Sequence, residues 1–422
     1  MSLGQAMACP VEPDFDPLSP EFLADPFAVM ASLPLADRPV FYAPAIDYYV
    51  ITKYRDIESI FSDPHGYSAA AAQLPLVELD PRAQQILLDG GHRPRPSMVS
   101  LDPPDHSRLR RPTARAFSAR RTAEMEPRIR LIVGQILDAI DPAAPFDLVS
   151  TLTFPLPATV VFSFIGVPES DYARLKEWSG YRAKLAWGRP AADEQIEHAL
   201  NMTAYRRYLR ELVAAKDATR GDDFTSALLA IHDEQPDELS HEDIASILFS
   251  LSFAGHETTN YLIGNTIRRL LEVPERWDAS VNDPTLIPGA IEETLRYDPS
   301  VPVWRRVTKR PVTVSGVEIP EGAKLFLWLA AAGRDPDVFP EPDRFDMRRD
   351  NSRHHLAFGK GIHFCIGSAL GRLEARLALE AVGSRFPDLR LVPDQELVFH
   401  PNISFRGPQA LWATSPKPTF PS

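Results

Sequence analysis

The chain of 422 residues is 44% hydrophobic and 24% charged, a composition typical of globular proteins, which excludes wholesale disorder and fibrous repeats. Acidic residues outnumber basic ones by 57 to 45, and because the net charge of −12 would repel a phosphate backbone, we expect no nucleic-acid partner. The longest apolar run, residues 325–332, is far shorter than the roughly 18 residues of a membrane span, and the first residues lack a secretory signal, so we expect a cytoplasmic protein without a membrane partner.

The predicted elements are short strands early and late in the chain, with long helices between them. Apolar and β-branched runs at 40–42 and 48–52 predict a hairpin, and a weakly patterned stretch at 68–100 predicts a long loop. Apolar periodicity predicts helices over 125–140, 199–215, 241–273, 286–297 and 366–386, and strands over 312–314, 317–319 and 389–392. Because strands do not alternate with helices, the sequence favours a mainly α fold with small β-sheets over a doubly wound sheet.

We expect residues 1–422 to form a single domain, because no internal repeat and no Gly/Ser-rich linker divides the chain. Residues 1–20 are interpreted as a loose N-terminal tail, and residues 413–422 as a C-terminal tail or the start of a linker. The chain has only two cysteines, Cys9 in the first tail and Cys365 near the far end. The sequence therefore excludes a disulfide framework, and each cysteine is considered as a single thiol.

Cys365 lies in the segment Phe358-Gly-Lys-Gly-Ile-His-Phe-Cys-Ile-Gly, directly before a predicted helix. An isolated cysteine is more often a small buried hydrophobic residue than a ligand. Here Gly359, Gly361 and Gly367 allow the backbone to adopt positive φ or to approach a flat cofactor closely. A helix start also favours the thiolate form of a cysteine. The pattern therefore indicates a sulfur suited to be an axial ligand of iron.

This segment resembles the haem-ligand signature of the cytochrome P-450 family, Phe-Gly-x-Gly-x-His-x-Cys-x-Gly, and every specified position is met. The resemblance implies the P-450 fold, a triangular helical domain around a buried haem b (iron protoporphyrin IX). It makes Cys365 the proximal thiolate and the metal ligand, which favours O–O cleavage. It also implies that Phe358, Gly359 and Gly367 contact the cofactor and that His363 binds a haem propionate.

The second motif, Ala254-Gly-His-Glu-Thr-Thr, lies in the middle of the predicted helix over 241–273. Thr258 can donate a hydrogen bond to the carbonyl of Ala254, an interaction that bends helices. Alone, Glu257 and Thr258 would be a surface glutamate and an ordinary helical threonine. The resemblance places Ala254 at the haem and makes Glu257 and Thr258 the catalytic pair beside its oxygen-binding face. Such a pair would deliver the two protons that dioxygen cleavage requires in a dry site.

Glu293 and Arg296 are three residues apart and can share one face of the predicted helix over 286–297. Most such pairs are solvated and contribute little to stability. The resemblance instead identifies them as the structural Glu-x-x-Arg pair of the family. It assigns Arg344, in the downstream segment 339–345, to the same network, which holds the proximal side of the haem together.

His106 and Arg110 are four residues apart, a helical spacing that directs both toward one partner. The resemblance identifies them as a pair that binds the haem propionates, through charge-assisted hydrogen bonds. It predicts a further arginine after the Glu-x-x-Arg helix, where Arg306 is favoured over the neighbouring Arg305. The arginine-rich segment 108–121 is either a solvated basic face or a surface that steers an acidic electron donor.

The resemblance implies a monooxygenase that inserts one atom of dioxygen, its co-substrate, into a small organic molecule, as in hydroxylation or O-dealkylation. It favours an aromatic or alkyl-aryl substrate. Position along the chain suggests apolar pocket residues at Met98, Val99, Phe253, Ala254, Val301, Val303 and Ile403. Two other classes stay open at this point, a peroxide-driven peroxygenase and a non-enzymatic haem sensor or carrier.

Electrons are expected to come from NAD(P)H through a partner. The chain has neither a Gly-rich dinucleotide loop nor the cysteines of an iron–sulfur cluster. The resemblance is strongest to the haem portion of self-sufficient bacterial P-450s, in which a flavin and iron–sulfur reductase follows the haem domain. The expected donor is therefore such a reductase, fused or separate, or a ferredoxin.

Overall fold

The computed structural model describes residues 9–91 and 97–415, most of them helical. The helices of the first half are α1 (Pro20–Ala24), α2 (Pro26–Ser32), α3 (Tyr54–Ser62), α4 (Pro81–Asp89), α5 (Asp105–Ala116), α6 (Ala119–Glu124), α7 (Glu126–Asp138), α8 (Pro155–Ile165), α9 (Tyr172–Ser179), α10 (Tyr181–Trp187) and α11 (Ala192–Ala218). Those of the second half are α12 (Phe224–Glu234), α13 (His241–Leu271), α14 (Pro274–Asn282), α15 (Ile287–Tyr297), α16 (Leu329–Ala332) and α17 (Ser368–Arg385). None of the described helices is both long and apolar enough to cross a membrane.

Three small sheets accompany the helices. Their strands are β1 (Val40–Ala43), β2 (Tyr48–Ile51), β3 (Tyr67–Ser68), β4 (Phe146–Asp147), β5 (Val303–Thr308), β6 (Val312–Val314), β7 (Val317–Ile319), β8 (Lys324–Trp328), β9 (Arg390–Leu391) and β10 (Trp412–Thr414). The largest sheet has the order β1-β2-β8-β5-β3, and the others are β4-β10-β9 and the hairpin β6-β7. The expected mainly α fold with small sheets is confirmed.

The predicted elements agree with the observed ones except in one segment. The predicted hairpin is β1 and β2, which pair antiparallel, and the five predicted helices correspond to α7, α11, α13, α15 and α17. The long loop predicted over 68–100 is wrong because it contains α4. That helix begins where the Asp80 carboxylate accepts the backbone N–H of Arg82 at 2.8 Å and ends before Gly90.

The two predicted tails are also shorter than expected. The backbone N–H of Tyr42 donates to the carbonyl of Pro10 at 2.8 Å, and Phe15 is 5% exposed within an aromatic cluster with Phe41 and Trp328. The prediction of a loose segment is therefore wrong for residues 9–20. At the other end, Ala413 is fully buried in β10, which pairs with β4 and β9, so residues 413–415 are part of the fold. Residues 1–8 and 416–422 lie outside the described residues.

Helix α13 passes through the centre of the molecule and fixes the position of the second motif. Its start is the predicted capping box, since the Ser240 hydroxyl accepts the N–H of Asp243 and the Asp243 carboxylate accepts the N–H of Ser240, both at 3.1 Å. At 31 residues the helix is about 46 Å long. It packs against α8, α11, α15 and α17, so residues near its midpoint lie in the interior.

Candidate active site

A large cavity lies between the middle of α13 and the loop that precedes α17. It encloses about 1760 Å³ of empty space, including open solvent at its mouth. The predicted site residues in its wall are Met98, Val99, His106, Arg110, Phe253, Ala254, Thr258, Val301, Arg306, Phe358, Gly359, His363, Cys365 and Gly367. Three predicted residues, Glu257, Val303 and Ile403, are not part of the wall. Segments far apart in sequence thus meet around one space.

The loop that carries Cys365 is a tight glycine-containing turn. The backbone N–H of Cys365 donates to the carbonyl of Phe358 at 2.9 Å, and Gly359 and Gly361 both have φ of +68°. A Cβ atom on Gly361 would lie 2.5 Å from the carbonyl oxygen of Phe61, so glycine is required there for close approach as well as for conformation. The turn therefore holds the thiol in the cavity wall.

The Cys365 thiol is in a buried environment with several hydrogen-bond donors. Burial raises its pKa, and the backbone N–H groups of Gly367 and Ser368 act in the opposite direction, as do the positive charges of Arg110 and Arg372. Donors aimed at a sulfur atom stabilise its thiolate form. The arrangement is that of a sulfur able to ligate a metal as an anion.

Four cationic or potentially cationic side chains cluster in the wall of the cavity. The rings of His106 and His363 are 4.2 Å apart, and neither ring nitrogen of His106 has a partner among the described residues. Burial, together with the nearby Arg306, His106 and Arg110, lowers the pKa of His363 to about 3. Burial also lowers the pKa of Arg306 to about 10. The buried arginine requires an anionic partner, and the buried imidazoles require hydrogen-bond partners.

The structure places Arg306 and Arg305 on opposite sides of β5. Arg306 lies in the cavity wall, with its guanidinium bonded to the carbonyl of Arg305 at 2.9 Å and stacked 5.1 Å from the ring of Phe61. Arg305 points away and donates to the carbonyls of Leu74 and Ala72 at 2.8 and 3.0 Å. Side chains alternate along a strand, so only one of two neighbouring arginines can face the cavity.

The residues present fit a haem. The sulfur of Cys365 can serve as an iron ligand, and the glycine turn leaves room for a flat ring. The buried donors, which have no matching carboxylates, can bind two propionates. Among the described residues, the neighbouring acid, Asp102, accepts the N–H of Ala69 and forms an ion pair with Lys309. It does not form an ion pair with the donor cluster.

Thr258 and Glu257 are adjacent on α13 but face different surroundings. The Thr258 hydroxyl lies in the cavity wall and donates to the carbonyl of Ala254 at 2.6 Å, the hydrogen bond expected from the sequence. Glu257 is 5% exposed and lies behind the wall, where the hydroxyl of Tyr261 is hydrogen-bonded to it. Consecutive residues on a helix point about 100° apart, which accounts for the separation.

The predicted pocket residues Val303 and Ile403 belong to the hydrophobic core and not to the cavity wall. Val303 is fully buried on the face of β5 opposite Trp304, and Trp304 lines the cavity instead. The backbone N–H of Ile403 donates to the carbonyl of Trp187 at 3.1 Å, and its side chain packs in the same cluster as Phe405, which does line the cavity. The placement of these two residues from position alone was wrong.

The carboxylate of Glu293 binds Arg349 in addition to Arg296, whereas the sequence predicted Arg344. It accepts Nη2 of Arg296 at 2.7 Å and Nε of Arg349 at 3.1 Å. The side chain of Arg344 is 62% exposed and pairs with Glu341, and only its carbonyl reaches Arg296, at 3.1 Å. The assignment of Arg344 to this network is therefore corrected to Arg349, whose side chain is 9% exposed.

Most of the arginine-rich segment 108–121 is engaged within the protein. Arg108 pairs with Asp243 at 3.0 Å, Arg115 with Glu234 at 2.7 Å and Arg121 with Asp222 at 3.3 Å. Nη2 of Arg110 donates to the carbonyl of Phe364 at 2.7 Å. These pairs neutralise much of the basic face that the sequence indicated.

The sequence did not indicate several polar residues of the cavity wall, including Gln73, Ser250, Thr259 and Glu374. Helical spacing from Ala254 could have found Ser250, four residues earlier on α13. Glu374 is 2% exposed, its Oε2 has no partner among the described residues, and burial raises its pKa well above the usual value. Gln73 comes from a different part of the chain, and no local pattern marks it.

Comparisons with known proteins agree with this geometry. The family model described as cytochrome P-450 matches residues 191–402. A vitamin D(3) 25-hydroxylase from Pseudonocardia autotrophica is 39% identical over 379 residues, which are 89% of this chain and 88% of that protein. A solved structure of cytochrome P-450 CREJ in complex with (4-ethylphenyl) dihydrogen phosphate is 38% identical, with a TM-score of 0.89 over 93% of this chain and 98% of that chain.

A self-sufficient enzyme is also among the solved relatives. The structure of an intact type IV self-sufficient cytochrome P-450 monooxygenase is 33% identical, with a TM-score of 0.92 over 97% of this chain and 55% of that longer chain. The resemblance seen in the sequence is thus confirmed over nearly the whole length. The chain belongs to the cytochrome P-450 family of haem-dependent monooxygenases.

Proposed function

We propose that this monooxygenase inserts one atom of dioxygen into a small aromatic or alkyl-aryl substrate. The observation that carries the proposal is the meeting of the Cys365 thiol and the Thr258 hydroxyl in the wall of one largely apolar cavity. Aromatic side chains of that wall, including Trp187, Trp304 and Phe405, suit an aromatic guest. The solved relative that holds (4-ethylphenyl) dihydrogen phosphate, itself an alkyl-aryl compound, supports this substrate class.

The cofactor in this proposal is haem b, which when bound supplies the iron chemistry that activates dioxygen. Cys365 would hold its iron through the sulfur atom. The donors to its propionates would be His106, Arg110, Arg306 and His363. The residues beside its ring would be Ala254, Phe358, Gly359 and Gly367.

Thr258 and Glu257 have distinct roles in proton supply. The Thr258 hydroxyl lies in the cavity and holds or passes a proton there, while the carbonyl of Ala254 fixes its orientation at 2.6 Å. Glu257, buried behind the wall and hydrogen-bonded to Tyr261, resupplies that proton. The apolar wall limits the access of bulk water, which would otherwise compete for the same protons.

Electrons reach this chain from NAD(P)H through a partner protein in this proposal. The candidates are a flavin and iron–sulfur reductase, separate or fused, and a ferredoxin. The similarity to the type IV self-sufficient enzyme, of which this chain spans 55%, supports the reductase. Turnover with such a reductase and NAD(P)H, compared with turnover on hydrogen peroxide alone, distinguishes the monooxygenase from a peroxygenase.

The test of the haem-thiolate site is a carbon monoxide difference spectrum of the reduced protein. The wild type is expected to show a strongly red-shifted Soret band that Cys365→Ser removes. Cys9→Ser is the matched control, because Cys9 is the other cysteine of the chain and hydrogen-bonds to the carbonyl of Pro10, away from the cavity. A spectrum typical of histidine-ligated haem in the folded wild type would contradict the proposal.

A further inference from the structure

A buried arginine without an ionic partner lies close to the cavity. Arg182, on α10, is 8% exposed. Every Asp and Glu of the chain falls within the described ranges, and none of these carboxylates forms an ion pair with Arg182. Burial and the neighbouring charge of Arg206 lower the pKa of Arg182 to about 10, so the group is still a cation at neutral pH. A buried cation without an anion is unfavourable, and proteins rarely keep one.

Neutral groups hold the guanidinium in place. Its Nη2 donates to Oε1 of Gln73 at 2.6 Å, and its Nη1 lies 3.4 Å from the carbonyl of Phe249. The rings of Phe249 and Phe253 lie 4.8 and 5.7 Å from the guanidinium carbon, within the range of cation–π contacts. Gln73 and Phe253 both line the cavity. The amide side chain of Gln73 therefore lies between the Arg182 guanidinium and the space available to the substrate.

A second polar group in the cavity wall also lacks a partner. The hydroxyl of Ser250, which follows Phe249 on α13, is buried in the wall and has no hydrogen-bond partner among the described residues. Gln73 Oε1 is itself shared, since it also accepts the hydroxyl of Ser97 at 2.6 Å. The unfilled hydrogen-bonding capacity of the Ser250 hydroxyl, in the wall of the same cavity as Gln73, indicates that a polar ligand completes the site.

The surroundings of Arg182 add positive charge. Arg206 and Arg210 on α11 share one carboxylate, that of Glu242, at 2.6 and 2.8 Å. Arg206, whose positive charge acts on Arg182, thus shares its carboxylate with a second arginine. The resulting excess of positive charge favours an anion in the adjacent cavity, because a buried site screens such charges weakly.

We propose that Gln73, Arg182 and Ser250 form a subsite for an oxyanion, a carboxylate or phosphate carried by the substrate. The inference rests on the proposed function and specifies its substrate class as an aromatic acid or an aryl phosphate. The oxyanion takes the position of Gln73 Oε1 on the guanidinium, whose paired N–H groups match two oxygens, and accepts the Ser250 hydroxyl. The apolar part of the substrate remains in the aromatic cavity and is oriented by this contact.

The experiment measures binding to the haem-loaded protein by calorimetry, which is independent of turnover. The probes are 4-propylbenzoate, 4-propylphenyl phosphate and the neutral isostere 4-propylbenzamide. We expect wild type to bind at least one anion about tenfold or more tightly than the amide, and the better anion identifies the oxyanion. Arg182→Gln should remove the preference and leave amide affinity within about threefold, whereas Arg182→Lys should keep part of it.

Lys184→Gln is the matched control, because it removes one positive charge from an exposed position on the same helix. Equal affinity of wild type for the amide and both anions would overturn the subsite, as would equal losses in Lys184→Gln and Arg182→Gln. Gln73→Glu provides a test that keeps Arg182 intact. Its carboxylate should pair with Arg182 and weaken anion binding about tenfold while sparing the amide, and unchanged anion binding would also overturn the subsite.

The failure of this inference is distinguishable from failure of the proposed function. A red-shifted carbon monoxide band in wild type, together with equal affinities for anions and amide, rejects the subsite alone. Absence of that band in folded wild type rejects the haem-thiolate site, whatever the calorimetry shows.

Discussion

The Nε of Arg349 lies 3.1 Å from Oε1 of Glu293. The backbone N–H of Asp346 donates to the same oxygen at 2.9 Å. The same carboxylate holds Arg296 through two hydrogen bonds of 2.7 and 2.8 Å. Glu293 thus joins helix α15 to the segment around residue 346 by several charge-assisted bonds, all in the interior. Neither Glu293 nor its two arginines, Arg296 and Arg349, line the cavity.

The first prediction compares the contributions of Arg349 and Arg344 to the stability of the protein. Arg349→Ala removes a hydrogen bond to a buried charge and should lower the free energy of unfolding by about 2–3 kcal/mol. Arg344→Ala should change it by less than about 0.5 kcal/mol, because that side chain is exposed. Urea denaturation of both variants measures the difference. A larger loss in Arg344→Ala than in Arg349→Ala would restore the original assignment.

The second prediction concerns acid stability and Glu292, the neighbour of Glu293 on α15. Burial by itself raises its pKa, but hydrogen bonds from His355 at 3.2 Å and from Arg372 at 2.5 and 3.0 Å outweigh burial and lower the pKa to about 2. An unfolded glutamate titrates near 4.5. The stabilisation by this carboxylate is therefore complete above pH 4.5 and is lost as the pH falls toward 2.

Glu292→Gln should lower stability at pH 7 and flatten the pH dependence of unfolding between about pH 4.5 and 2. The measurement is a series of urea denaturation curves across that range. Glu318→Gln, at an exposed position on β7, is the control and should leave the profile unchanged. If Glu292→Gln retained the wild-type slope in this window, another carboxylate would have to be the source.

The third prediction concerns Glu374 in the cavity wall, whose pKa is shifted in the direction opposite to that of Glu292. Burial raises its pKa well above the usual value, so the folded protein keeps a proton that the unfolded chain releases above about pH 4.5. This carboxyl therefore reduces stability as the pH rises from 4.5 toward neutrality. Glu374→Gln should raise the free energy of unfolding at pH 7 by about 1 kcal/mol, because it removes the cost of a buried ionisable group.

Thermal or urea unfolding at pH 5 and pH 7 checks this prediction, since the gain should be larger at pH 7. Glu396→Gln, an exposed position, controls for the change in net charge. A loss of stability in Glu374→Gln at neutral pH would show that the carboxyl is ionised and engaged.

The fourth prediction tests the role of Thr258. Thr258→Ala should uncouple electron consumption from oxygenation, so that product per NAD(P)H falls, by up to roughly 10²-fold, while hydrogen peroxide rises. Thr258→Ser keeps the hydroxyl and should retain most of the coupling. Thr266→Ala is the control. It removes the same kind of hydrogen bond, from the Thr266 hydroxyl to the carbonyl of Leu262 at 2.7 Å. Thr266 lies further along α13 and is not part of the cavity wall. Unchanged coupling in Thr258→Ala would refute the proton-delivery role.

The features that the sequence predicted well are those formed by neighbouring residues. The capping box of Ser240 and Asp243 and the bond from Thr258 to Ala254 depend on helical spacing of three and four residues. The turn around Cys365 depends on glycines within the same ten residues. In each case the partners are a few bonds apart along the chain, so local geometry is enough to bring them together.

The order of residues along the chain is enough to identify the family, the mainly α fold and the thiol expected to ligate iron. Three other features follow from the packing of the folded chain: Arg349 pairs with Glu293, Trp304 and not Val303 lines the cavity, and Arg182 contacts Gln73. These partners are far apart in sequence or on alternate faces of one strand. Their contacts depend on how separate elements pack, because the free energy of packing is a property of the whole core and no local pattern of residues contains it.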